Sequence, residues 1–121
     1  MMDLNDLAGK KVVVNIWATW CKPCIQEMPS FRVAQDNLKN QNITFLFASD
    51  EPLEVINKFY NKRNPGLELV RLDNYQDFNF QAIPVTFVFN AEGELTHYEM
   101  GSRDWSSDAS LELLKKENSL K

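Results

Sequence analysis

Apolar positions along the chain switch between two periods, and the switches mark the elements. Residues 10–18, KKVVVNIWA, are β-branched and aromatic with apolar side chains on both faces, which predicts a central strand buried on both sides. The pattern then turns helical. Met28, Phe31 and Leu38 fall at helical spacing, with Gln26, Arg32, Gln35 and Lys39 between them. The helix signal starts near Cys21, with Pro23 in the first turn, where a missing N–H is harmless. Pro29 predicts a kink inside the helix, and Asn40, Gln41 and Asn42 end it. Residues 43–49, ITFLFAS, predict a second buried strand. Asp50, Glu51 and Pro52 open a second helix with Leu53, Ile56 and Phe59 on one face, and Asn64, Pro65 and Gly66 stop it.

The second half is more broken. Residues 67–72 predict a short extended piece, and 73–81 could hold one helical turn. VTFVF at 85–89 is a third strong strand. A turn at 90–93 leads into ELTHYEM, 94–100, the returning arm of a hairpin. A last amphipathic helix is predicted over 105–117, with Leu111 and Leu114 inward and Lys115 and Lys116 in its final turn. The order β-α-β-α-(short β)-β-β-α predicts an α/β fold. The first two strands should be parallel, joined by a right-handed crossover, and the hairpin should add antiparallel strands. The result is a three-layer α/β/α sandwich around a central mixed sheet.

Composition narrows the functions. The chain has 121 residues, enough for one domain, residues 1–121, with one core. With 13 basic and 17 acidic residues the net charge is −4, which argues against nucleic acid or an acidic membrane surface as partner. No apolar run approaches the roughly 20 residues of a membrane span. The N-terminus lacks the pattern of a secretory signal. Either the protein is cytosolic, or it is a domain cut from a longer exported or anchored chain; the doubled Met1 and Met2 favour the second.

The only two cysteines stand in WATWCKPC, residues 17–24, at the predicted strand–helix junction. The thiolate is the species that attacks a disulfide. Unpaired N–H groups and the positive end of the helix dipole at Cys21, with the Lys22 cation beside it, should lower the Cys21 pKa and make it the nucleophile. Cys24, one turn on, is placed to attack a mixed disulfide and release the product. Pro23 stiffens the gap, and Trp17 and Trp20 are expected to cover the junction. Three blander readings compete. A structural disulfide would close a tiny loop that restricts the unfolded chain little. A zinc site needs roughly four ligands, and the only further good candidate is His97, on a hairpin strand. Two unrelated thiols could also meet by chance. A Cys-x-x-Cys beside a βαβ pattern is a known redox signature.

Residues 13–31, VVNIWATWCKPCIQEMPSF, closely resemble the thioredoxin superfamily. Within it they resemble the TlpA-like branch of envelope thiol–disulfide oxidoreductases, which includes reductases serving cytochrome c maturation. The matching positions are Trp17, Ala18, Trp20, Cys21, Pro23, Cys24, Glu27 and Pro29, and Ile83, Pro84, Val85 and Thr86 resemble the branch's cis-proline loop. The resemblance implies a cis Pro84, with Ile83 offering its backbone to an extended substrate segment. It also favours a functional Glu27. That residue sits one turn after Cys24 and is flanked by Met28, so partial burial should raise its pKa for proton exchange with Cys24. The alternative is a solvated first-turn acid.

The chain departs from thioredoxins proper at Asn15. They usually carry an acid there, and Asn15 is expected to satisfy backbone groups within the sheet. TlpA-like proteins also commonly begin with a hairpin, whereas this chain reaches its first strand soon after Asp3 to Leu7. His97 is expected at the surface; Phe78 and Phe80 are expected in the core rather than on a substrate.

The expected function is disulfide exchange on protein clients, in the reducing direction. The residues carrying it are Cys21, Cys24 and Glu27, tuned by Lys22, Pro23 and Trp20, with Ile83 and Pro84 binding substrate. No cofactor or metal is expected beyond the redox-active disulfide. The family implies a periplasmic or envelope location, a membrane thiol–disulfide donor and a monomer. The alternatives are a non-catalytic redox-sensing or binding module and, further off, a copper metallochaperone using His97.

Overall fold

A computed structural model describes residues 9–73 and 82–120. The strands are β1 (Lys11–Ile16), β2 (Ile43–Ser49), β3 (Glu68–Arg71), β4 (Val85–Phe89) and β5 (Leu95–Met100); the helices are α1 (Lys22–Asn37), α2 (Leu53–Arg63) and α3 (Asp108–Lys115). The five strands form one mixed sheet in the order β3-β2-β1-β4-β5. β1 lies at its centre, and all six of its residues are buried. β1 runs parallel to β2, and β2 to β3, each pair joined through a helix; β4 is antiparallel to both β1 and β5.

Alternation along β1 sorts the core into two clusters. Val13 joins Phe45, Phe47 and Val88 on the face that meets the helices, where Met28, Phe31, Ile56 and Leu114 pack. Phe31 is the hub. Its ring meets Phe47 edge-on at 4.9 Å and stacks on Trp105 at 5.0 Å. Val12, Val14 and Ile16 face the other way and join Ala48, Val85 and Phe87. The described helices add nothing to that second cluster.

The last helix is shorter than its sequence pattern predicts. It starts at Asp108 because Ser107, in extended backbone, caps it by accepting the Ser110 N–H. Trp105 therefore lies in the preceding turn with its ring buried. α1 runs unbroken through Pro29, which deprives the ladder of one donor. α2 stops where expected, at Asn64 in the left-handed region. Just beyond, Gly66 adopts a positive φ, and a Cβ there would collide with the Arg32 guanidinium. Leu53, predicted on the inner face with Ile56 and Phe59, is exposed.

The chain after α3 is fastened back onto the sheet. The Lys11 ammonium donates to the Lys116 carbonyl, Asn90 Nδ2 to the Glu117 carbonyl at 3.0 Å, and Leu120 N–H to the Leu95 carbonyl at 2.9 Å. The predicted helical turn over 73–81 lies, apart from Asp73, outside the described residues, as do Phe78, Phe80 and the stretch from Asp3 to Leu7.

Candidate active site

β1 delivers the chain to the cysteines. Past Ile16 its alternation places Trp17 on the helix side, fully buried, with its ring 4.9 Å from that of Phe59. The next turn is held from β2's end: Glu51 accepts both the Thr19 N–H at 2.8 Å and its hydroxyl at 2.6 Å. That turn aims Trp20 outward, 75% exposed. The two tryptophans expected to cover the junction are thus divided, one in the core and one in solvent.

Cys21 is the N-cap of α1. Its backbone is extended, and its sulfur accepts the Cys24 N–H at 3.3 Å. Cys21 and Cys24 are joined by a disulfide, with Cα atoms 5.3 Å apart. Cys24 is wholly buried and Cys21 keeps 4% exposure, so an attacking sulfur can approach only from the Cys21 side. Lys22 and Pro23 are exposed in the first turn. Ile83 and Pro84 come to the same end of the sheet, because Val85 pairs with Ile16 at the end of β1. The Ile83–Pro84 bond is cis. Pro84 is buried, and its carbonyl accepts the Gly101 N–H at 2.8 Å.

One turn beyond Cys24, Glu27 points into the protein and is 4% exposed. Its Oε1 accepts Asn15 Nδ2 at 2.9 Å; its Oε2 accepts the Arg103 N–H and the Trp105 indole N–H, both at 3.1 Å. Burial pushes the Glu27 pKa up from 4.5 to about 7, outweighing the three donors, with the charge of Glu99 adding a little. Glu27 is also among the residues lining a cleft of about 610 Å³ between α1 and the 102–106 loop, with Gln26, Ser30 and Asp104. A buried acid therefore sits next to a path to water.

Asn15 does something other than expected. It bonds side chains, Glu27 and Thr86, because both flank it on the helix-facing side of the sheet. His97 is half-buried rather than fully exposed: its side chain is 20% exposed and bonds Glu99 at 2.9 Å. Glu99 also meets Arg103 at 3.1 Å. Burial raises the Glu99 pKa, but His97 and Arg103 together outweigh it and hold the group below its usual range.

Sequence reasoning missed Trp105, Arg103, Thr86 and Glu51. Arg103 acts through its backbone, which no residue type could signal. The serines after Trp105 could have moved the helix start to Ser107 and freed Trp105 for the core.

This sheet order, with a Cys-x-x-Cys disulfide capping the helix after the central strand, defines a thioredoxin-like protein. The chain belongs to the Redoxin family, whose model matches residues 1–113. It is 30% identical over 105 residues to the thioredoxin-like protein YneN of Bacillus subtilis, covering 82% of this chain and 61% of YneN. It is 32% identical over 105 residues to the thiol-disulfide oxidoreductase ResA of Geobacillus kaustophilus, covering 82% of this chain and 59% of ResA. The chain thus spans about three fifths of the length of these relatives. A solved thiol:disulfide interchange protein of the thioredoxin family from Chlorobium tepidum superposes with a TM-score of 0.73 at 25% identity, over 92% of this chain and 81% of the other. StoA from Bacillus subtilis shares the fold, with a TM-score of 0.69 at 20% identity over 79% and 77% of the two chains.

Proposed function

We propose that this chain is a thiol–disulfide oxidoreductase that reduces disulfides in protein clients through Cys21 and Cys24. The observation that carries the proposal is the position of Cys21 as helix N-cap, in a disulfide whose other half is sealed from solvent. In the dithiol form, the helix terminus and Lys22 favour the Cys21 thiolate. It attacks one client sulfur; the client disulfide breaks and the other client sulfur leaves as a thiolate that takes up a proton. Cys24 then gives up its proton and attacks Cys21 Sγ. The mixed disulfide breaks, the Cys21–Cys24 bond forms, and the second client sulfur leaves and is protonated. Two electrons have passed from the cysteine pair to the client, and of the two protons the client sulfurs take up, one replaces the proton lost by Cys24 and the other comes from water.

Glu27 takes the Cys24 proton and exchanges it with the cleft; a pKa near 7 suits both halves of that task. Pro23 holds the sulfurs one turn apart. Ile83 and Pro84 present backbone to an extended client segment, and exposed Trp20 offers it apolar surface. The cysteine pair is itself the electron carrier, so the cycle calls for no cofactor or metal. The resemblance to the TlpA-like branch supports the reducing direction and a periplasmic or envelope location. There, a membrane partner with its own thiols would recharge a monomeric domain.

A second reading, a redox-sensing binding module, is favoured by the small exposure of Cys21. One experiment separates the readings: equilibrate the pair against graded thiol buffers, follow Trp20 fluorescence, and time mixed-disulfide formation with an unfolded protein. Fast exchange and a potential of roughly −270 to −220 mV support the reductase. A value near about −120 mV makes the protein an oxidant, and slow exchange makes it a module.

A further inference from the structure

The hydrogen bonding of Asn15 is lopsided. The residue is 1% exposed. Its Nδ2 donates to Glu27 Oε1 and to Thr86 Oγ1, each at 2.9 Å, while its Oδ1 has no partner. A buried amide oxygen left unpaired is costly, so its presence asks for a reason.

The surroundings of Glu27 supply one. The elements around it bring donors: Asn15 from β1 onto Oε1, and the Arg103 N–H and Trp105 indole from the loop after β5 onto Oε2. The nearby charges do not change this. Glu99 acts on Glu27 from β5, and the Arg103 guanidinium is turned to Glu99 and Ser110. From β4 comes only the neutral Thr86, and Cys24 lies one turn back on α1. This donor set fits a carboxylate and does not fit a carboxylic acid, which must donate a proton of its own. A proton on Oε2 would face two N–H groups. A proton on Oε1 would face the Asn15 NH₂.

We propose that Asn15 is a two-position amide that follows the proton on Glu27. It donates from Nδ2 to the ionised carboxylate, and turns half over to accept the Oε1 proton on Oδ1 when Glu27 is an acid. The half-turn exchanges the two ends of the amide. The Thr86 hydroxyl, an acceptor in the first position, becomes a donor in the second by rotating its hydrogen. In both positions the end with no partner is the far one, so the two differ mainly in the proton they match. Asn15 is therefore a positioning residue. It holds the transferable proton at Oε1, away from Arg103 and Trp105. Leucine could match neither state, and aspartate would compete for the proton. The functional meaning rests on Glu27 being the proton carrier for Cys24.

The test uses the whole chain in its disulfide form, where the cysteines carry no titrating proton. Isotope-labelled protein is titrated from pH 5 to 9 by NMR, following the Glu27 carboxyl carbon and the Asn15 side-chain amide. Both should move with one midpoint near 7. The nuclear Overhauser contact from the Asn15 amide protons to the Thr86 methyl should weaken on the acid side. Glu27→Gln puts a permanent donor beside Asn15, so its spectrum should match the acid form at every pH. An Asn15 amide that stays still while Glu27 titrates overturns the proposal, as does a Glu27→Gln variant that keeps the alkaline contact. If that variant does not fold, the wild-type titration decides alone. Disulfide exchange is assayed separately. A chain that exchanges but whose Asn15 stays fixed sinks only this inference; a moving Asn15 in a chain that does not exchange sinks only the proposed function.

Discussion

The two chemical groups of the site are assembled in opposite ways. The cysteine pair sits in a single turn of chain, and what shapes it is local: the helix end, Lys22, Pro23 and a sulfur accepting an N–H three residues on. Glu27 lies one turn further along the same helix, yet its donors stand 12, 76 and 78 residues away. The disulfide is therefore written into a short peptide, whereas the setting of Glu27, the proposed proton carrier, exists only once β1, α1 and the loop after β5 have met. Damage to the packing should spoil proton handling before it spoils the disulfide.

That contrast can be broken most sharply at the sulfurs. Cys21→Ser should abolish exchange outright. Cys24→Ser should leave the first attack intact and trap the client as a mixed disulfide, visible by mass spectrometry. Turnover in either variant would refute the assigned order of attack. Glu27→Gln should slow product release about 100-fold above pH 7 while far-ultraviolet circular dichroism stays native. Stopped-flow rates unchanged from pH 5 to 9 would remove Glu27 from the chemistry.

Stability gives a subtler view of the same carboxylate. Its folded pKa is raised, from 4.5 to about 7, so its favourable contribution is complete below 4.5 and disappears as pH rises through 7. The stability of the wild type relative to Glu27→Gln should thus fall by about 3 kcal/mol across that interval in urea titrations. A flat difference would mean that Glu27 is solvated as an ordinary surface acid. Trp105→Phe keeps a ring against Phe31 and removes one donor to Glu27. The Glu27 midpoint should climb by about one pH unit, with the disulfide potential unmoved. The smallest effect belongs to the local half. Lys22→Gln takes a solvated cation from the helix end and should make the pair more reducing by about 10 mV.

The same contrast explains what could be read from the sequence. β1, the start of α1, β2 and β4 were legible because each is a dense apolar run with its own period or cap. The cysteine turn was legible because its chemistry is contiguous. Glu27 was half legible: its spacing from Cys24 is local, but its donors are not. The partners of Asn15 are illegible for the same reason, since a buried asparagine on a strand does not reveal which side chains will stand opposite. Trp105 falls inside the helix that the pattern predicts over 105–117, although the Ser107 cap begins the helix later. Trp20 shows the converse: a turn anchored by Glu51 decides exposure, and hydrophobicity alone does not.

The fastening of the chain after α3 has a consequence for life in a crowded compartment. β5 borders the sheet, and an uncovered border is a template on which another molecule's strand can grow into an aggregate. The bond from Leu120 to Leu95 occupies that border at its hairpin end, while Asn90 and Lys11 anchor the segment that carries it. The end of β5 near Met100, which pairs with Val85 beside Pro84, is not covered by that bond. The tail thus works like a selvedge: it finishes the cloth along the stretch far from the cysteines, where a stray strand would bring no chemistry.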